Sequence, residues 1–261
     1  MFKFAKSMMV LLALLVLLNV TVTLPADRHV PSAPDSRIEF ETHVRGFWRF
    51  GEWEPMISVD GRAEDQFDVL YRSLTLGSYY RLHRNLKVGG FYRVQQGARH
   101  DDDWVATNDS FEWKNTDSRT EHVFFADVSP RFLLEMLPGE TWVLMLKNRY
   151  FYNTFNQQQW LNLRPGLTWF WVVDREPLLN IAANYEFYVP LNFAETLLYG
   201  HGPYLNVLYH LSPVVKLDAT VARRTRIWST SEDVQDDPAH GDYDKKIRSW
   251  LLGLGVIFRF S

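Results

Sequence analysis

The 261-residue chain has no cysteine. That absence excludes a disulfide framework, a thiolate metal site, a cysteine nucleophile and a lipid-modified N-terminal cysteine. Neither sign of charge is in marked excess: 28 Lys and Arg stand against 31 Asp and Glu, giving a net charge of −3 and a pI near 6.2. Such a balance offers no footprint for nucleic acid as a partner. Beyond the first 26 residues long apolar runs are missing too. The longest clean stretch there, Trp250 to Phe258, is interrupted by Gly253 and Gly255, which excludes a helical inner-membrane protein. Aromatic side chains are plentiful, at 15% of the chain (10 Trp, 12 Tyr, 18 Phe), in a composition 46% hydrophobic and 23% charged. Those figures exclude disorder and low complexity.

The one long apolar run lies at the N-terminus. Lys3 and Lys6 precede Met8 to Val20, 13 residues broken only by Asn19. A membrane-spanning helix needs about 20, so the run reads as the core of a secretory signal peptide with cleavage at Leu24-Pro25-Ala26. The expected organisation is a signal at 1–26, a short periplasmic segment at 27–36 and one domain at 37–261.

That domain repeats a period of two. Ile38, Phe40, Thr42, Val44, Gly46, Trp48 and Phe50 alternate with Arg37, Glu39, Glu41, His43, Arg45, Phe47 and Arg49. One face is apolar and the other charged, the mark of a strand between two different solvents. Similar patterns fill 67–82, 86–95, 120–132, 141–152, 160–172, 178–189, 203–211, 215–228 and 247–260. The connections alternate in length, longer at 51–66, 96–119, 153–159, 190–202 and 229–246 and shorter between. Transmembrane barrels show this asymmetry, with short periplasmic turns and longer extracellular loops. An even strand count puts both termini on the periplasmic side.

Aromatics gather at both ends of the apolar faces. Trp48, Phe50, Tyr150, Tyr152 and Trp250 fall on the loop side; Tyr80, Trp142, Trp169, Tyr209 and Phe258 fall on the turn side. Two such girdles suit the two headgroup levels of a membrane. An open sheet edge is untenable in hydrocarbon, so the strands must close. The expected fold is therefore an all-β, antiparallel up-and-down transmembrane β-barrel of about ten strands. A pair hidden in 51–66 or around Phe111 to Lys114 would make twelve. Local exceptions are a bulge at Pro165-Gly166, shortening of the fourth strand by Pro130, and one short helix over Asn192 to Gly200.

The chain ends Gly255-Val-Ile-Phe258-Arg-Phe260-Ser261. This resembles the C-terminal assembly signal of bacterial outer-membrane barrels, in which aromatic or apolar residues follow a glycine at spacings of three and five. Gly255, Phe258 and Phe260 match; Ser261 extends one residue beyond, and Gly253 replaces a larger polar residue. The resemblance implies outer-membrane localisation after secretion, with the barrel-insertion machinery, periplasmic chaperones, outer-membrane lipid and lipopolysaccharide as partners. Segments 146–169, 184–193 and 202–224 also resemble a family of uncharacterised outer-membrane barrels. They imply architecture and no catalytic residue.

In this register the inward face carries Arg37, Arg45, Arg49, Arg81, Lys87, Arg93, Arg131, Lys147, Arg149, Arg164, Lys216, Arg224, Arg226 and Arg259. Against them stand Glu39, Glu41, Glu121, Asp127, Glu186 and Asp218, with His43 among them. Enclosed charges must be paired or hydrated. The lumen is thus net basic, either plugged by its own side chains or left as a narrow wet path favouring anions. The expected function is a narrow channel or structural envelope protein.

The long loops are acidic instead. His100 sits beside Asp101, Asp102 and Asp103, and His240 beside Asp236, Asp237 and Asp242. Such a cluster could bind a divalent cation or activate water. In residue type and rim location it is similar to the omptin proteases, so a rim-sited hydrolase is the alternative function, with a surface-binding protein as another. A lipase-like site has only His122 near Ser118 and His43 beside Glu41 to offer, and neither sits in a serine-elbow motif. No cofactor and no resident metal are expected. Arg72, Arg223 and Arg248 fall on the outward register near Lys245 and Lys246, where cations suit lipopolysaccharide phosphates.

Overall fold

The computed structural model describes residues 36–64, 69–97, 104–107, 110–113, 120–135, 137, 141–193, 197–229 and 244–260. The expected signal and the acid–histidine clusters of the loops lie outside these residues. Thirteen strands follow in chain order: β1 (Ser36–Trp48), β2 (Trp53–Glu64), β3 (Val69–His83), β4 (Leu86–Gly97), β5 (Trp104–Thr107), β6 (Ser110–Trp113), β7 (Thr120–Leu133), β8 (Trp142–Asn153), β9 (Gln159–Val173), β10 (Glu176–Pro190), β11 (Gly200–His210), β12 (Val215–Ser229) and β13 (Asp244–Phe260). Eleven of them close into one barrel, ordered β1-β13-β12-β11-β10-β9-β8-β7-β4-β3-β2. β5 and β6 form a separate two-stranded sheet inside the β4–β7 connection. The segment around Phe111 therefore adds nothing to the barrel wall.

The eleventh barrel strand is β2, inside the stretch expected to be a long loop. Its odd positions, Trp53, Ile57 and Val59, are exposed, while Glu54, Ser58 and Arg62 are buried. β2 pairs antiparallel with both β1 and β3. An odd count forces one parallel contact, and this falls between β1 and β13, in register from Ser36↔Arg248 to Trp48↔Phe260. The start of β1 and the end of β13 therefore lie at opposite ends of the barrel, which corrects the even-count expectation. It also moves Trp48 and Phe50 to the turn end, where Trp48 stacks on Phe260 at 5.7 Å.

Other local expectations change as well. There is no bulge at Pro165-Gly166. Leu146↔Pro165 and Met145↔Gly166 continue one register, as do Asn184↔Gly166 and Phe187↔Leu163. A Cβ at Gly166 would collide with the Asn184 side chain, which would have to move. Register shifts occur instead at Arg62/Ala63, Arg81/His83 and Pro177/Leu179. Pro130 pairs with Leu86, and β7 runs on past it to Leu133. Residues 191–193, 197 and 199 are bends, and no helix occurs among the described residues.

The outer wall is apolar: Ile38, Val44, Leu74, Phe124, Val221 and Leu254 are all exposed. The inner wall is polar and charged but carries one aromatic row. Phe91, Phe125, Phe151 and Trp160 stand directly opposite one another across β4, β7, β8 and β9. Their successive ring centroids are 4.7, 5.0 and 4.9 Å apart. Stacked rings of this kind add roughly 0.5–1.5 kcal/mol per pair beyond area burial. Alternation assigns each ring to the inner face of its own strand, and only the strand registers show that the four meet in one row.

Candidate functional site: a basic lumen

Strand alternation turns every second side chain inward, so each wall strand contributes charges at fixed spacing. β1 supplies Glu39, Glu41, His43 and Arg45. Glu39, fully buried, lies 3.3 Å from Arg62 and 3.4 Å from Arg226. Arg62 also donates to Glu41 at 2.9 Å. Arg45 donates to Asp60 at 3.2 Å. Toward the turn end, Lys87 and Arg259 share Glu54, at 2.6 and 3.4 Å. Three of these partners (Glu54, Asp60 and Arg62) belong to β2, inside the stretch expected to be a long loop. The charge alternation in WEPMISVDGRAE was the available signal.

The remaining strands build a second network. Asp127 on β7 accepts from Arg149 Nε at 2.8 Å and from Ser129, with Lys147 at 3.7 Å. Glu186 on β10 accepts from Asn162 at 2.8 Å and from Arg164 through both Nε and Nη2. Glu121 accepts from Gln95 and Asn153, each at 3.0 Å. Arg93 donates to Thr75 at 3.0 Å and lies over the Phe125 ring at 5.0 Å. Cations laid on aromatic faces recur, with Arg149 over Phe125, Arg164 over Tyr204 and Arg259 over Phe47. Contacts of this type contribute roughly 0.5–2 kcal/mol each, least where the cation is exposed.

The other sequence-derived positions are less central. Arg49 lies exposed past the end of β1, its N–H donating to the Phe260 carbonyl at 2.9 Å. Arg81 faces Glu52 at 3.9 Å, and Arg131 is exposed. Lys216 is half-buried opposite His210. Arg37 pairs with Ser249 in backbone register, and its side chain is outside the described ones. His122 points outward, its Nδ1 2.6 Å from the Tyr92 hydroxyl, while Ser118 is not among the described residues. His43 pairs with Asp218 at 3.3 Å rather than with its neighbour Glu41. Arg72 on the outer wall donates to Gln96 at 2.9 Å, and Arg223 lies over Trp250 at 5.8 Å.

Gly255 has a specific task in the seam. It stands opposite His43 across the parallel pair, and a Cβ there would collide with the imidazole ring. Phe258 stacks with Phe260 at 6.5 Å, closing the turn-end aromatic group.

Eight strands are filled by their own side chains, and a wider barrel leaves space. Here the space is a cavity of about 300 Å³. Six cations line it (Arg45, Arg93, Lys147, Arg149, Arg164 and Arg224) against the carboxylates of Glu41, Asp60, Glu186 and Asp218. Chemically this is a small chamber whose lining carries more cations than carboxylates. No protein-family model matches the chain, and no curated protein matches it. The resemblance seen at 146–169, 184–193 and 202–224 thus brings no activity to these residues.

Proposed function

We propose that this chain is an integral β-barrel of the bacterial outer membrane, exported by its N-terminal segment, with a narrow lumen that favours anions. One observation carries the reading: polarity is inverted relative to a water-soluble barrel. Leu254 is 67% exposed on the outer wall, while Glu39 and Asp127 inside are 0% exposed. An outer surface of Ile, Val, Leu and Phe costs free energy in water at about 25 cal/mol per Å² and none in lipid. Closure without a free sheet edge supports the same reading. Barrel strands of 11 to 17 residues meet or exceed the roughly 9–11 that a tilted transmembrane strand needs. Gly255, Phe258 and Phe260 support recognition by the insertion machinery. Arg223 and Arg248, exposed on neighbouring outer positions, suit lipopolysaccharide phosphates.

The side chains that fill the lumen make it a restricted passage, not an open pore. Planar-bilayer recording on the refolded protein tests this. The expected result is a small conductance with anion preference under a salt gradient. Cation preference, or a conductance typical of a wide pore, overturns the proposal.

A further inference from the structure

We propose that the lumen cavity is a binding site for a small organic anion, a carboxylate on a flat apolar body, held by Lys147, Arg164 and Arg224. The proposal rests on the outer-membrane reading and adds to it a defined site and ligand class. Lys147 and Arg164 stand directly opposite each other across β8 and β9. Like charges in that position destabilise a sheet unless an anion lies between or beside them. The pairs on either side keep one register and so place Arg164 level with Glu186, which faces Gly202, and Gly202 level with Arg224. Four charged positions on one row therefore include three cations.

The carboxylates nearby are already engaged. Asp127 is bonded to Arg149 and Ser129, and its ion pair with Lys147, at 3.7 Å, is longer than a hydrogen bond. Glu186 accepts two bonds from Arg164 and one from Asn162. The buried Nε of Arg224 has no hydrogen-bond partner among the described residues. An unmet buried guanidinium donor is costly; Arg224 also lines the cavity, where a ligand carboxylate would form charge-assisted bonds with its guanidinium.

The apolar half of the ligand follows from the aromatic row. Phe151 and Trp160 stack nearly parallel, at 3°, and both line the same cavity as Lys147 and Arg224. Inorganic phosphate gains nothing from such a wall, whereas a ring stacks on it. A cavity of about 300 Å³ is at the small end of ligand sites, which begin at roughly that size.

The test is calorimetric titration of the full chain, refolded in detergent micelles, with benzoate, benzylammonium and inorganic phosphate as separate probes. Benzoate is expected to bind at least tenfold more tightly than either of the others. Arg224→Gln and Lys147→Gln should each weaken benzoate about tenfold or more, while Arg224→Lys retains most of the binding by keeping the charge. Arg84→Gln, in the exposed β3–β4 turn, should leave it unchanged. Benzylammonium or phosphate binding as tightly as benzoate overturns the proposal, and so does an unchanged affinity in Arg224→Gln. A variant counts only if it keeps the folded barrel's gel mobility and β-type circular dichroism, with Arg224→Lys deciding should Arg224→Gln not fold. A chain that stays soluble without detergent would instead sink the membrane reading on which the site rests.

Discussion

Glu39 holds two guanidinium groups together inside the barrel. It is fully buried between Arg62 and Arg226, which are themselves only 4% exposed. Removing one charge from a buried ionic group typically costs about 3–5 kcal/mol, because the remaining charges keep their desolvation penalty. Glu39→Gln should lower unfolding stability by an amount in that range, read from denaturant titration of the protein in micelles. A second residue-scale prediction concerns the two-residue β9–β10 turn. Asp174 and Arg175 both have positive φ, 51° and 68°, a conformation that favours Asn and Gly in hairpins of this twist. Asp174→Asn with Arg175→Gly should stabilise the protein by about 1 kcal/mol on the same measurement. Inward charges were legible one strand at a time, because alternation assigns each to a face. Their partners were not. Glu39 and Arg226 are 187 positions apart, and only the closed ring brings them together.

Among the elements, β2 decides the most. Its faces alternate as clearly as those of β1, yet Gly51, Pro55 and the Asp60-Gly61 pair carry the chemistry of turns. Pro55 is accommodated on the outward face near the start of the strand, opposite Ser78. Adding this strand changes the parity of the barrel, and with it the end at which β1 begins and the girdle to which Trp48 belongs. The remaining ten strands were legible because the outside and the inside of a closed wall impose opposite demands on successive residues. The parallel seam was not, since no sequence pattern encodes which strands meet when a sheet closes. The cysteine-free background makes the seam testable. Thr42 and Leu254 are register partners across β1 and β13, and neighbouring strands lie about 4.8 Å apart, within disulfide range. Thr42→Cys with Leu254→Cys should cross-link on oxidation and shift in a non-reducing gel. Cross-linking absent here but present between β2 and β13 would identify a ten-stranded ring with β1 outside it.

At the scale of the whole molecule, one closed wall separates an apolar outer face from a charged interior. Apolar side chains cover its outside, and ion pairs, stacked rings and a cation-lined cavity occupy its inside. The basic lumen and its proposed anion preference follow from that separation, because charges facing inward must find counter-charges, water or ligand. The separation is tested most directly by single-cysteine labelling along β13 in native membranes, using a thiol reagent confined to the lipid phase. Leu252→Cys and Val256→Cys should label strongly, and Leu251→Cys and Gly253→Cys should stay protected. Equal labelling at all four positions, or preferential labelling of the first pair by a water-soluble reagent, would contradict the inverted barrel.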